Sequence, residues 1–91
     1  MKIEVTIPSL LADSTGGKRR FHLEATTLAG ALDRLLEARP LLRPHLYDEA
    51  MRVRKHVLIF FNDENIATIA DRNVALKTGD RLQVIQAVSG G

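Results

Sequence analysis

The residues best suited to chemistry are the last two, Gly90 and Gly91, which follow closely on an alternating stretch in which Leu82 and Val84 are separated by polar residues. A free glycine carboxylate is a poor acyl donor until it is activated, for example with ATP as an acyl-adenylate. A sulfur nucleophile that displaces AMP then leaves a C-terminal thiocarboxylate, whereas a lysine amine leaves an isopeptide bond. Glycine suits both outcomes. It has no Cβ, so it can thread a channel too narrow for other residues, and it has no stereocentre to epimerise once activated. If the last sheet residue is near Val88, then Ser89-Gly90-Gly91 forms an arm reaching roughly 10 Å beyond the fold. On these grounds the chain is expected to be a protein co-substrate and not an enzyme. Gly91 would be the reacting site with Gly90 behind it, no cofactor would be bound by the chain itself, and ATP would be used by an activating partner.

Other chemistries find little support. The 91 residues contain no cysteine, so disulfides, thiolate nucleophiles and cysteine-based zinc sites are excluded. His22, His45 and His56 lack metal-ligand spacing. Asp63 and Glu64 read as turn residues after a strand, and no nucleophile, base and orienting group can be assembled. Net charge is +2, and two basic clusters stand out: Lys18-Arg19-Arg20, and Arg52, Arg54 and Lys55. Either could meet an acidic partner or nucleic acid. With no aromatic stacking platform beside them they read as solvated surface, and no nucleic-acid partner is expected. No apolar run is long enough for a signal peptide or a membrane span. The chain is expected to be cytoplasmic, with no membrane partner.

These termini need a scaffold. Ile3, Val5 and Ile7 alternate with Lys2, Glu4 and Thr6, which is the period of a strand with one buried face. Asp13-Ser14-Thr15-Gly16-Gly17 is turn chemistry, and Phe21, Leu23 and Ala25 mark a second strand, which suggests a hairpin. The period then becomes helical with Leu28, Ala31, Leu32, Leu35 and Leu36, capped by Thr26 or Thr27 and ended by Pro40. Residues 41–54 are the least regular, with Leu42, Leu46 and Met51 expected to pin them to the core. Residues 56–61 form a strand, 62–65 a turn and 66–69 a short strand. Thr78-Gly79-Asp80 is another turn, and residues 81–88 are the last strand.

The order strand, strand, helix, strand, strand in one domain is that of the α+β ubiquitin-like β-grasp, a mixed sheet of four to five strands with one main helix packed across it. Residues 1–88 would be the domain and 89–91 a flexible tail. In this arrangement the first and last strands lie side by side and parallel in mid-sheet. If Val57, Ile59 and Phe61 face the helix, Leu58 and Phe60 face away beside Ile85. Leu58, Phe60, Ile85 and Val88 are therefore the expected partner-binding residues, an exposed apolar patch at the root of the tail.

Taken together, "MKIEVTIPSLL", "TLAGALDRLLEARP", "FFNDENI" and "LKTGDRLQVIQAVSGG" carry a resemblance over essentially the whole chain. It resembles the ubiquitin-like sulfur carriers of the ThiS/MoaD type, with the Gly79-Asp80 turn before the terminal Gly-Gly as the most specific element. Gln86 stands where members often carry proline. The resemblance implies adenylation of the terminal glycine by an ATP-dependent enzyme of the ubiquitin-activating type, conversion to a thiocarboxylate, and sulfur delivery to an accepting synthase. "LLADSTGGK" and "LLRPHLYDEAMRVRKHV" are similar to the longer carriers of cysteine biosynthesis. That likeness implies a PLP-dependent synthase as acceptor and a metalloprotease as a further partner. The alternatives are the small subunit of molybdopterin synthase and a ubiquitin-like protein modifier.

Overall fold

A computed structural model describes residues 1–86, the side chains of residues 13–15 apart. The first alternating stretch forms β1 (Lys2–Thr6), with Ile3, Val5 and the following Ile7 fully buried. Its antiparallel neighbour β2 (Arg20–Glu24) sets Leu23 opposite Ile3 and Phe21 opposite Val5. The connection is longer than a hairpin turn. Residues Ser9–Thr15 wind as a 3-10 helix with Leu11 buried, and only then do Gly16 and Gly17, at φ 70° and 90°, reverse the chain. Positive φ at both positions is the reason glycine stands there.

Helix α1 (Leu28–Ala38) buries Leu28, Ala31, Leu32 and Leu35 against the sheet, the i, i+3, i+4, i+7 stripe of a core-facing helix. Of the two threonines it is Thr27 that caps it, with Oγ1 accepting from the Gly30 N–H at 3.0 Å. The Leu28 and Ala29 N–H groups donate to the carbonyls of Val74 and Arg72 at 3.1 and 2.7 Å, so the cap and the later segment packed over it together satisfy the first turn. At the other end Pro40 stops the helix, and Arg39 lays its guanidinium 4.9 Å from the centre of the Phe21 ring, tying the helix end to β2.

Between α1 and the next strand, a 3-10 turn (Pro40–Leu42) leads into the short α2 (Arg43–Leu46), with Leu42 and Leu46 fully buried as expected. Met51 behaves otherwise. It sits at φ 60° in a tight loop and is exposed, because the loop is built around Asp48 and not around an apolar anchor. Asp48 Oδ1 accepts from the Ala50 and Arg52 N–H groups, both at 2.9 Å, and its own N–H donates to the Arg52 carbonyl at 2.8 Å. The Arg52 backbone N–H is the chief reason the Asp48 carboxyl titrates below the ordinary 3.8. A carboxyl lowered by folding stabilises its surroundings above its unfolded value, and that contribution disappears as pH falls through the lowered one. The 48–52 loop is therefore expected to open below the ordinary aspartate range while the sheet persists. Amide exchange at Ala50 and Arg52 as a function of pH measures this, and an unchanged profile in Asp48→Asn would disprove it.

Strand β3 (Val57–Phe61) turns at Asn62 and Asp63 into the two-residue β4 (Glu64–Asn65). Residues 66–69 are not a strand. Asn65 Oδ1 accepts from the Ala67 N–H at 2.9 Å, and the Thr68 hydroxyl donates to the Asn65 carbonyl at 2.7 Å, which winds Ile66–Thr68 into a 3-10 turn that still buries Ile66. The last described strand is β5 (Arg81–Gln86). The five strands order as β2-β1-β5-β3-β4, with β5 parallel to β1 and antiparallel to β3. This is the mixed sheet with one main helix across it that the β-grasp arrangement requires. No helix among the described residues is long and apolar enough to cross a membrane.

Candidate functional site

The strand that leads to the carboxyl end is β5. Leu82 and Val84 are buried beneath α1, while Arg81, Gln83 and Ile85 face the opposite side of the sheet. The register is fixed on both flanks: Val5 lies level with Leu82 on β1, and Ile59 lies opposite Val84 on β3. Because side chains alternate with period two, a one-residue slip would expose both Leu82 and Val84, so their burial favours this register over its neighbours.

A second device holds the start of the strand. Gly79, at φ 96°, makes a turn closed by the Asp80 N–H donating to the Lys77 carbonyl at 3.1 Å, while Asp80 Oδ2 accepts from the Lys77 N–H at 2.8 Å. The Asp80 carbonyl accepts from the Glu4 N–H at 3.1 Å, joining the turn to β1. Asn62, itself at φ 56°, completes the clasp. Its N–H donates to the Arg81 carbonyl at 2.8 Å, its Oδ1 accepts from the Arg81 N–H at 3.0 Å, and its Nδ2 donates to Asp80 Oδ1 at 3.3 Å. The Gly79-Asp80 pair is thus a structural staple that ties β5 to β1 and to the β3–β4 turn. Asn62 is the residue that sequence reasoning missed. Its one signal was an asparagine just after a strand, a residue that tolerates left-handed backbone. Asp80→Ala removes both side-chain bonds, and urea unfolding is expected to show a loss of about 1–3 kcal/mol. Asp80→Asn keeps an acceptor for the Lys77 N–H and should recover part of that, and equal losses in the two variants would refute the clasp.

The face of the sheet turned away from α1 is polar over β1, β2 and the start of β5, and its apolar part is Leu58 and Phe60 on β3 with Ile85 on β5. Leu58 and Ile85 are directly opposed and 36% and 37% exposed. Phe60, opposite both Gln83 and Asn65, is half-buried on the same face. Three of the expected partner-binding residues therefore lie together, on the strand that leads to the carboxyl end and on its neighbour. The fourth, Val88, and Gly90 and Gly91, the residues expected to react, lie outside the described residues.

The remaining candidates stay apart. His22 is on the outer face of β2, His45 on α2 and His56 just ahead of β3. Among the described residues no group of histidine and carboxylate side chains could hold a metal ion. Asp63 is almost wholly exposed and lies 3.4 Å from the Arg81 guanidinium, while Glu64 accepts from the Thr68 hydroxyl at 3.5 Å. Both are surface turn groups. Burial raises the Tyr47 phenol above its ordinary pKa, but its setting is the bridge to Val53 at the edge of the core.

Known proteins give this geometry a context. The family model described as ThiS matches residues 5–91. The sulfur carrier protein CysO of Mycobacterium tuberculosis is 27% identical over 93 residues, which span 100% of both chains. Among solved structures, the Amycolatopsis orientalis BexX/CysO complex contains a chain that superposes with a TM-score of 0.80 at 25% identity, covering 98% of this chain and 99% of that one. SAMP1 from Haloferax volcanii superposes with a TM-score of 0.78 at 26% identity, with 100% of each chain covered. With a match running from β1 to Gly91 and the parallel β1–β5 pairing at the centre of the sheet, the chain belongs to the ThiS family.

Proposed function

We propose that this chain is a sulfur carrier whose working group is the Gly91 carboxylate. The observation that carries the proposal is the family match extending through Gly91, on a chain whose last described strand is clamped in mid-sheet. The Gly91 carboxylate attacks the α-phosphorus of ATP in the active site of a ubiquitin-activating-type enzyme. That step forms the acyl-adenylate and releases pyrophosphate. Hydrosulfide then adds to the acyl carbon, AMP leaves with the bonding pair, and a proton is lost to give the thiocarboxylate anion. The sulfur passes to an accepting synthase. A cysteine-type pathway is favoured, supported by a full-length relative named a sulfur carrier protein CysO, and a metalloprotease would then release the product. Leu58, Phe60 and Ile85, with Val88 beyond them, would dock on the activating enzyme. Burying such a patch rewards association without any chemistry from the carrier.

Incubation of the chain with the adenylating enzyme of the same organism, ATP and sulfide should yield one C-terminal oxygen replaced by sulfur, seen by intact-protein mass spectrometry. A chain that consumes ATP but never gains sulfur would overturn the proposal. A second reading, a modifier joined to lysines, draws support from the likeness to SAMP1, and lysine-linked adducts in place of the mass gain would favour it.

A further inference from the structure

The two basic clusters are far apart in sequence, and the fold brings them to one end of the sheet. Arg20 opposes Thr6 on β1, Thr6 lies level with Gln83 on β5, and Val57 opposes Gln86. The starts of β2 and β3 and the finish of β5 therefore share an edge. Lys18, Arg19 and Arg20 sit at the start of β2, where the Arg19 carbonyl accepts from the Ile7 N–H at 2.8 Å. Arg52, Arg54 and Lys55 precede β3, where the Arg54 carbonyl accepts from the Val57 N–H at 3.0 Å. Adjacent strands lie about 4.8 Å apart, so the clusters flank the end of β5, one beside the neighbouring strand and one about 10 Å away.

Five of these six side chains are exposed and Arg54 is half-buried. The carboxylates paired with Arg52 and Arg20 offset them only in part, and Lys18 has a contact of its own. Glu49 is exposed nearby, and the Arg52–Asp48 and Arg20–Glu4 pairs, at 3.3 and 3.8 Å, involve exposed cations and leave their charge open to a partner. Glu24, Asp63, Glu64 and Asp80 lie at the opposite end of the strands, where Lys2, Lys77 and Arg81 offset most of their charge. A modest net charge of +2 is thus unevenly spread, with a positive pole where β5 ends.

We infer that this positive end is a docking collar for an acidic protein surface rimming the site that receives Gly91, an inference that rests on the carrier function proposed above. Five residues follow Gln86, and covalent geometry holds Gly91 within about 18 Å of it. A protein that encloses the Gly91 carboxylate must approach within about 18 Å of Gln86, and the sides of its opening come closer to the clusters that flank the strand. Charges farther apart than about 8 Å are largely screened at physiological salt, so the attraction acts where rim and clusters come close, and over the whole approach at low salt. An acidic rim gains speed of encounter there and a basic one is repelled. Nucleic acid fits less well, because Phe21 and Tyr47, the aromatic rings at this end, are buried and offer no base a stacking face.

The test is ATP–pyrophosphate exchange by the adenylating enzyme of the same organism, with the full chain as substrate and salt as the variable. The combined variant Lys18→Glu, Arg19→Glu, Lys55→Glu should lose about tenfold or more in kcat/KM at low salt. The difference should shrink severalfold in molar salt, where charges are screened. The glutamine versions of the same three substitutions should lose less, and Lys77→Glu at the far end should behave as the parent. Normal exchange by the charge-reversed chain, with an unchanged thermal melt, overturns the collar and leaves the carrier function standing. So does an equal loss in Lys77→Glu. Should the clusters instead govern binding of a short single-stranded RNA while exchange is indifferent to them, the protein collar is likewise wrong. No exchange with the parent chain would overturn the carrier function and the collar with it.

Discussion

A chain extended past Gly91 by a single valine should lose adenylation by about a hundredfold or more, as should one shortened to end at Gly90. In the first case the terminal carboxylate moves by about 3.4 Å and acquires a branched side chain. In the second it falls short by the same distance. Displacement of a reacting group by even about 1 Å costs on the order of 10²-fold when the rest of the geometry is fixed. The clamped register of β5 supplies that fixed frame, because Leu82, Val84 and the Asn62–Asp80 clasp prevent the strand from sliding to compensate. Exchange of labelled pyrophosphate into ATP measures the effect directly. If the valine-extended chain were charged at the parent rate, the carboxyl end would not be the working group.

Leu82→Ala should be among the most destabilising single substitutions in the domain, at about 2–5 kcal/mol. The side chain is wholly buried, on a strand bordered on both sides, level with Val5 and opposite Phe61. Removing it opens a void that neither neighbour can fill without breaking its own pairing. Native domains hold about 5–15 kcal/mol in total, so this one change takes a large share. A melting shift of roughly 4–8 °C per kcal/mol is expected for a domain of this size. Ile85→Ala, three residues along the same strand but on the outer face, should cost far less, because its side chain is already partly in water. Equal losses for the two would contradict the assignment of the two faces of β5.

The strands that alternate and the helix that repeats every three to four residues were legible, because a half-buried element imposes its period on the sequence. Ile3, Val5 and Ile7 mark β1, and Leu28, Ala31, Leu32 and Leu35 mark α1 in this way. Segments built by polar side chains misled. Ile66 and Ile69 look like a strand, yet the Asn65 carboxamide caps a 3-10 turn there and no apolar pattern announces it. Met51 looks like an anchor, yet the Asp48 loop requires a left-handed residue at that point and turns the side chain outward. The patch of Leu58, Phe60 and Ile85 could be foreseen from alternation alone, since it depends only on which side of β3 meets the helix. The convergence of the two basic clusters was not legible: the parallel pairing of the first and last strands was expected, but the register that sets Arg20 and Thr6 level with Gln83 is a relation between segments that no single window contains.

That same strand order bears on how the molecule comes into being. Without β5, the described sheet falls into two separate pieces, β1 with β2 and β3 with β4. Isolated two-stranded ribbons are marginal in water. A nascent polypeptide still lacking its last strand therefore cannot assemble this core, and a copy cut off before residue 81 should be cleared as an unfolded chain. Synthesis itself acts as the checkpoint: the core cannot close until the strand that joins its two halves has been made.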